Sequence, residues 1–248
     1  MNDTKYANIF LILSVFFNLI GISLIVLQGT HYFYFFPGLT PVGLAGILCC
    51  WYGMSCFWVS SAFSQKRPEM ILGKGEKRRF ALLCVYMNLP FLVTYWTVWI
   101  FRHCCFRVVP CHRVGETNLT ISQWPIFGVP LDSFDLVIDV TSEMPKLYKT
   151  RGKYMVFPNL DGVPLRRFAI PHDIDIDRRT QILVHCAQGR GRSAIMTALL
   201  LVKLGYAATG EEAFMMIRES RPNVTVSKAQ MEQIRSFGTE LSETEPED

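Results

Sequence analysis

The sequence HCAQGRGRS at residues 185–193 determines how the second half of this chain folds. The apolar run QILV comes directly before it, at 181–184, and is typical of a buried strand. The run AIMTALLLVKL follows at 194–204, with apolar residues at helical spacing. The pattern therefore predicts a strand, a tight loop that contains glycine, and the first turn of a helix.

A loop in this position is suited to binding an anion. Its backbone N–H groups point inward, and the N-terminus of the following helix adds positive potential. Arg192 closes the loop with a planar guanidinium that fits two phosphate oxygens. Cys186, at the other end, is expected to be a thiolate because positive surroundings favour that form. The alternative is a structural turn with an inert, buried cysteine.

The stretch resembles the His-Cys-x5-Arg-Ser/Thr loop of the cysteine-dependent protein tyrosine and dual-specificity phosphatases. The fixed positions of that loop are all matched, by His185, Cys186, Gly189, Arg192 and Ser193. The resemblance covers about residues 115–235. It implies a phosphoric monoester hydrolase that needs no metal and no other cofactor.

The parts of the loop predict the mechanism. Cys186 would attack phosphorus and form a phosphocysteine intermediate, while Arg192 and the loop amides hold the equatorial oxygens. Ser193 can donate a hydrogen bond to the departing sulfur. The resemblance implies that His185 fixes the loop through its ring. The residues expected to bind the substrate phosphoryl group are Ala187, Gln188, Gly189, Arg190 and Gly191.

The reaction also needs an acid that protonates the leaving oxygen. Asp161, in the sequence FPNLDGVP at 157–164, looks like the Leu-Asp-x-x-Pro pattern of the lipid-acting dual-specificity branch. The Pro and Gly residues around it predict a loop. The interval from Asp161 to Cys186 is shorter than is usual in the family. The alternatives for the acid are three later aspartates, Asp173, Asp175 and Asp177.

The first half of the chain has a different composition. Half of the 248 residues are hydrophobic and only 19% are charged. Three stretches without charge are each long enough to cross a hydrocarbon core of about 30 Å. They are residues 7–27, 41–63 and 80–101. The sequence predicts an integral, multi-pass membrane protein, with the alternative that the first stretch is a signal peptide.

The basic residues give conflicting indications of orientation. A basic loop joins the second and third stretches, with Lys66, Arg67, Lys74, Lys77, Arg78 and Arg79. The positive-inside rule places this loop in the cytoplasm, so that three spans put the catalytic domain on the opposite side. Arg102, Arg107 and Arg113 favour the reverse, as would a third segment that turned back at Pro90. The basic residues therefore do not decide on which side of the membrane the catalytic domain lies.

The expected domains are a transmembrane region at 1–108, a dual-specificity phosphatase-like catalytic domain at 109–240 and a disordered acidic tail at 241–248. Strands are predicted at 124–129, 134–140, 154–157 and 181–184. Helices are predicted at 193–204, 209–218 and 227–237, the last two beginning with capping boxes. Strands followed by helices, with the loop at the carboxyl end of a strand, indicate a small α/β domain with a mostly parallel central sheet.

The cysteines do not predict a disulfide framework, because Cys186 is the only cysteine after Cys111. A cluster of possible metal ligands follows the third stretch, His103, Cys104, Cys105, Cys111 and His112. Its spacing matches no zinc pattern well. Juxtamembrane thiols, open to acylation on the cytoplasmic side, are the preferred interpretation.

Three hypotheses for the function remain, and two of them differ in the substrate. A phospholipid headgroup is favoured by the apolar stretches and by Arg190, Arg166 and Arg167, whose charges suit a multiply charged headgroup. A phosphoprotein would use the same loop chemistry. A non-catalytic phosphate-binding module would need no nucleophile. The net charge of +4 gives no indication of nucleic-acid binding.

Overall fold

The computed structural model describes residues 2–32, 40–75, 77–106, 109–166 and 176–237. The chain divides into two compact units, Met1–Phe106 and Arg107–Asp248. The predicted acidic tail at 241–248 lies outside the described residues.

The first unit is helical, with α1 (Asn2–Tyr32), α2 (Pro41–Ser64), the short α3 (Glu69–Leu72) and α4 (Arg78–Cys105). Three helical segments are long and apolar enough to cross a membrane, namely Thr4–Gln28, Pro41–Ser64 and Arg79–Cys105. They contain the three uncharged stretches of the sequence. Helix α4 continues unbroken through Pro90, so the alternative that this segment turns back at Pro90 is wrong.

Glycines allow α1 and α2 to approach closely. A Cβ atom at Gly46 would lie 2.8 Å from Ile25 Cγ1 and 2.9 Å from the carbonyl oxygen of Gly21. Carbon atoms in favourable contact are about 3.5–4.0 Å apart, so a side chain at Gly46 would force the two backbones apart. Small residues have this role at the interfaces of membrane helices.

Side chains of α2 and α4 fix the connection that contains α3. Trp58 Nε1 donates a hydrogen bond to the carbonyl oxygen of Met70 at 2.8 Å. Asn88, which is fully buried in α4, donates to the carbonyl oxygens of Met70 and Ile71 at 3.0 and 3.1 Å. These bonds satisfy carbonyl groups that a helix end leaves without partners.

The second unit contains a five-stranded sheet. Its strands are β1 (Cys111–Arg113), β2 (Leu119–Ser122), β3 (Leu136–Asp139), β4 (Lys153–Val156) and β5 (Ile182–His185). The spatial order is β1-β2-β5-β3-β4, and every pair is parallel except β1 with β2. The prediction of a mostly parallel central sheet in an α/β domain is confirmed.

The register of the sheet brings three chain segments to one edge. Ser122 of β2 and Asp139 of β3 both pair with His185, the last residue of β5. Because these strands are parallel, the segments that follow them leave the sheet at the same edge. Ligands of open α/β sheets bind at this carboxyl edge.

Three helices complete the second unit, α5 (Arg192–Lys203), α6 (Gly210–Ser220) and α7 (Lys228–Ser236). The fully buried α5 residues Ile195 and Leu200 share one core with Ile121 and Val184 of the sheet. The predicted capping box of Ser227 and Gln230 is present at the start of α7. At the start of α6, the Thr209 hydroxyl accepts a hydrogen bond from the Glu212 N–H, as predicted. The Glu212 carboxylate accepts from the N–H of Ala208 instead of the N–H of Thr209, so the predicted capping box is only half formed.

The predicted strand at 124–129 is wrong, because these residues form turns and the strand lies earlier, at Leu119–Ser122. The Trp124 N–H donates to the Ala187 carbonyl oxygen at 3.2 Å, and its indole N–H donates to the Pro145 carbonyl oxygen at 2.9 Å. Pro125 has no N–H for a strand ladder. Loop contacts, rather than a neighbouring strand, therefore hold this segment.

We expect Gly46→Leu to destabilise the first unit by about 1–3 kcal/mol, the usual cost of overpacking. The measurement is thermal unfolding of the full chain in detergent. Ala45→Leu is the matched control, because Ala45 is exposed on the neighbouring position of α2. Equal melting temperatures for the two variants would contradict the close approach of α1 and α2.

Candidate active site

The predicted loop joins β5 to α5. Cys186, which is buried, directly follows the last residue of β5. Its Sγ accepts a hydrogen bond from the Gly189 N–H at 3.2 Å and lies 3.3 Å from Ser193 Oγ. The structure therefore brings the predicted nucleophile, a loop amide and the predicted serine together.

Gly189 gives the loop its shape. Its φ of +65° lies in the left-handed region that favours glycine. A Cβ atom at Gly189 would lie 2.6 Å from Gln123 N and 2.6 Å from the carbonyl carbon of Ser122. The absence of a side chain thus lets the loop pack on the end of β2.

Arg192 is held by a bidentate ion pair. The Glu143 carboxylate accepts from Arg192 Nη2 at 2.5 Å and from Nη1 at 2.8 Å, and the Asn159 carbonyl oxygen accepts from Nη1 at 2.8 Å. Arg192 is only 1% exposed. Burial acts to lower the pKa of Arg192, but the charges of Glu143 and Asp161 outweigh it and hold this pKa well above its usual value. The guanidinium is therefore a permanent cation.

Asp161 follows β4 and reaches the same arginine. Its Oδ1 lies 3.2 Å from Arg192 Nε, while 62% of its side chain is exposed. The carboxyl group thus lies between the buried cation and solvent. This is a position from which it can meet the leaving oxygen of a bound phosphomonoester.

Asp177 lies at the opposite edge of the sheet, five residues before the start of β5. Its Oδ1 accepts from the Thr180 hydroxyl and from the N–H groups of Arg179 and Thr180, each at 2.9 Å. The Thr180 hydroxyl and then these amides lower the pKa of Asp177. Of the other two alternatives, Asp173 and Asp175 lie outside the described residues. Of the two candidates that the structure describes, Asp161 is the one that contacts the loop, through Arg192.

His185 takes part in a buried polar network behind the loop. Its Nε2 lies 2.5 Å from Tyr148 Oη and 3.9 Å from Asp139 Oδ1. Tyr154 donates to Asp139 Oδ2 at 2.6 Å. Burial, and after it the charge of Asp139, raises the pKa of both tyrosines. Both hydroxyls therefore keep their protons and can act as donors, so that the His185 ring is held in place.

The contacts of Glu143, Asn159 and Tyr148 were not predicted from the sequence. For Glu143 a signal was available, because the polar sequence DVTSE at 139–143 directly follows the buried strand β3. A polar run at the carboxyl end of a parallel strand is typical of a binding site. Asn159 contacts Arg192 through its backbone carbonyl oxygen. Because any residue type has this group, the contact cannot be recognised from the sequence.

The basic residues proposed for headgroup binding are only partly described. Arg190 is half-buried in the loop and Arg166 is exposed, whereas Arg167 lies beyond the described part of the chain.

Within the part of the chain that the structure describes, no group of three or more His, Cys, Asp or Glu side chains could hold a metal ion. Cys104 and Cys105 are exposed thiols near the end of α4.

We expect Glu143→Ala to lower the free energy of unfolding by about 3–5 kcal/mol, because it leaves the Arg192 charge buried without its partner. Unfolding of the full chain measures this loss. Glu211→Ala is the control, since the Glu211–Arg235 pair at 2.7 Å is about 60% exposed on both sides and such pairs contribute at most about 1 kcal/mol. Equal losses in the two variants would contradict the assigned importance of the buried pair.

No protein-family model matches the sequence, and no curated protein matches it. The chain is similar to solved structures of phosphatases. Human DUSP28 is 18% identical, with 54% of this chain and 97% of that chain covered and a TM-score of 0.42. PTPMT1 in complex with PI(5)P is 19% identical, with coverages of 54% and 97% and a TM-score of 0.39. Tk-PTP in its active form is 18% identical, with coverages of 52% and 96% and a TM-score of 0.38.

Proposed function

We propose that this chain is a membrane-bound phosphatase that hydrolyses phosphomonoesters through a phosphocysteine intermediate. One observation carries the proposal, namely a buried cysteine and a buried arginine in the same nine-residue stretch. A loop N–H donates to the sulfur, and the Glu143 carboxylate binds the guanidinium through two hydrogen bonds. Burying an arginine is costly even when it is paired. A turn with a purely structural role does not require a buried cation, whereas an anion-binding site does.

In the first step Cys186 Sγ attacks phosphorus and the bond from phosphorus to the leaving oxygen breaks. The loop amides and Arg192 hold the three equatorial oxygens. A bound phosphoryl group would compete with Asp161 for Arg192 Nε, which lies 3.2 Å from the carboxylate. The protonated Asp161 side chain would then be placed to give its proton to the leaving oxygen.

In the second step a water molecule attacks phosphorus and the bond between sulfur and phosphorus breaks. The Asp161 carboxylate accepts the proton of this water. Ser193 Oγ, 3.3 Å from the sulfur, donates a hydrogen bond to the thiolate as it leaves. Glu143 and His185 are positioning residues in this scheme, because they contact the loop rather than the phosphoryl group.

The proposed substrate is a phospholipid headgroup. Three helices of the same chain are long and apolar enough to cross a membrane, so an integral, multi-pass phosphatase would meet its substrate in the bilayer. Arg190 lies in the catalytic loop, and Arg166 follows the segment of Asp161. Both cations would attract a headgroup that carries more than one negative charge.

The test is phosphate release by the purified full chain in detergent, from phosphatidylglycerophosphate, phosphoinositides and phosphotyrosine peptides. We expect turnover of a lipid, its loss in Cys186→Ser, and a reduction of about 10²–10⁴-fold in Asp161→Ala, which is the usual contribution of a general acid. Cys111→Ser and Asp177→Ala are matched controls that should keep full activity.

Each other outcome has a distinct meaning. Preference for the peptides would assign the chain to the protein phosphatases. Full activity of Asp161→Ala would move the acid to another residue. Absence of release from every substrate would leave a non-catalytic phosphate-binding module, and the proposal would fail.

A further inference from the structure

Leu147 is an apolar residue whose side chain is exposed to solvent. Its side chain is 68% exposed, in the segment that follows β3. Two residues earlier, the Pro145 carbonyl oxygen accepts the indole N–H of the buried Trp124 at 2.9 Å. The next residue, Tyr148, lies 2.5 Å from His185 Nε2. Hydrogen bonds thus hold the chain on both sides of the exposed Leu147.

A second exposed apolar side chain lies on the segment to which Leu147 is tied. Phe127 is 46% exposed and comes three residues after Trp124. The Trp124 N–H in turn donates to the carbonyl oxygen of Ala187, in the catalytic loop. Leu147 and Phe127 therefore both belong to segments that are hydrogen-bonded to each other and to the loop or its histidine. The two exposed side chains thus lie on segments that adjoin the catalytic loop.

Lysines flank the exposed leucine. Lys146 and Lys149 are both exposed, and the sequence MPKLYK at 144–149 contains no acidic residue. The Lys146 ammonium lies 4.0 Å from the centroid of the Tyr154 ring, which limits its movement. Apolar side chains flanked by cations are typical of surfaces that lie on anionic membranes, with the apolar groups in the acyl boundary and the cations among the headgroups.

We propose that Phe127, Lys146, Leu147 and Lys149 form a membrane-contact rim that lays the catalytic loop on an anionic bilayer. The partner is the bilayer surface, because the rim combines apolar tips with positive charge and the same chain carries three helices suited to a membrane. This inference rests on the proposed phospholipid substrate, since the rim would bring Cys186 to headgroups that remain in the membrane.

Photo-cross-linking tests the contact without requiring turnover. The photoreactive residue p-benzoyl-phenylalanine is placed at position 147 of the full chain, which is reconstituted in nanodiscs of phosphatidylcholine with about one fifth phosphatidylglycerol. Met215, on α6 and 60% exposed, is the matched control position. We expect a lipid adduct at position 147 and none at position 215, as measured by mass spectrometry.

An absent adduct at position 147, or equal adducts at both positions, would overturn the membrane-contact rim. Cross-linking of position 147 to an added phosphotyrosine peptide in place of lipid would overturn it as well, because the rim would then contact a protein. These results do not depend on catalysis. If no substrate is hydrolysed at all, the proposed function fails while the adducts still decide the rim.

Activity gives a second measurement. We expect Leu147→Ser and the double variant Lys146→Gln with Lys149→Gln to lose about tenfold in hydrolysis of the lipid in nanodiscs, as befits a weakened membrane contact. Hydrolysis of the soluble substrate para-nitrophenyl phosphate should be unchanged, and Met215→Ser should behave as the parent chain. Parallel losses on both substrates would show that Leu147 supports the loop, and the rim would be rejected.

Discussion

The buried pair of Arg192 and Glu143 is the constraint on which the second unit depends. A guanidinium removed from water is tolerated only with a partner of opposite charge and with its hydrogen bonds satisfied. The two partners come from different segments, since Glu143 follows β3 and Arg192 begins α5, and a third segment after β4 adds the Asn159 carbonyl. The pair and its contact with the Asn159 carbonyl form together because β3, β4 and β5 end at one edge. The parallel sheet and the site therefore satisfy a single requirement.

A second set of contacts fixes the loop from behind. Trp124 joins the segment after β2 to the loop and to the segment after β3, while Tyr148 joins the latter to His185. These contacts cross from strand end to strand end and leave few independent movements at this edge. Neighbours on either side of β5 thus hold the backbone of the loop in place, which favours the binding of a charged group.

The features that could be predicted from the sequence are those encoded by neighbouring residues. The loop at 185–193 lies within one strand–helix unit, and the apolar stretches and the Ser227 cap are equally local. The polar run that contains Glu143 could have been noticed, but its partner Arg192 and the contact of Tyr148 with His185 could not be predicted, because both depend on β3 lying beside β5. The strand predicted at 124–129 was wrong for the same reason, since Trp124 is held by residues that are distant in sequence. The acid role of Asp161 remains a prediction.

The two glycines of the loop differ in what they would tolerate. At Gly189 any side chain would meet the backbone of β2, whereas at Gly191 a Cβ atom would be 3.4 Å from the carbonyl oxygen of Thr225 and from the Gln230 side-chain oxygen, an ordinary contact. For directed evolution of this loop, position 189 therefore requires glycine, whereas position 191 has room for the Cβ atom of an alanine. A library would keep the first glycine and begin with small residues at the second.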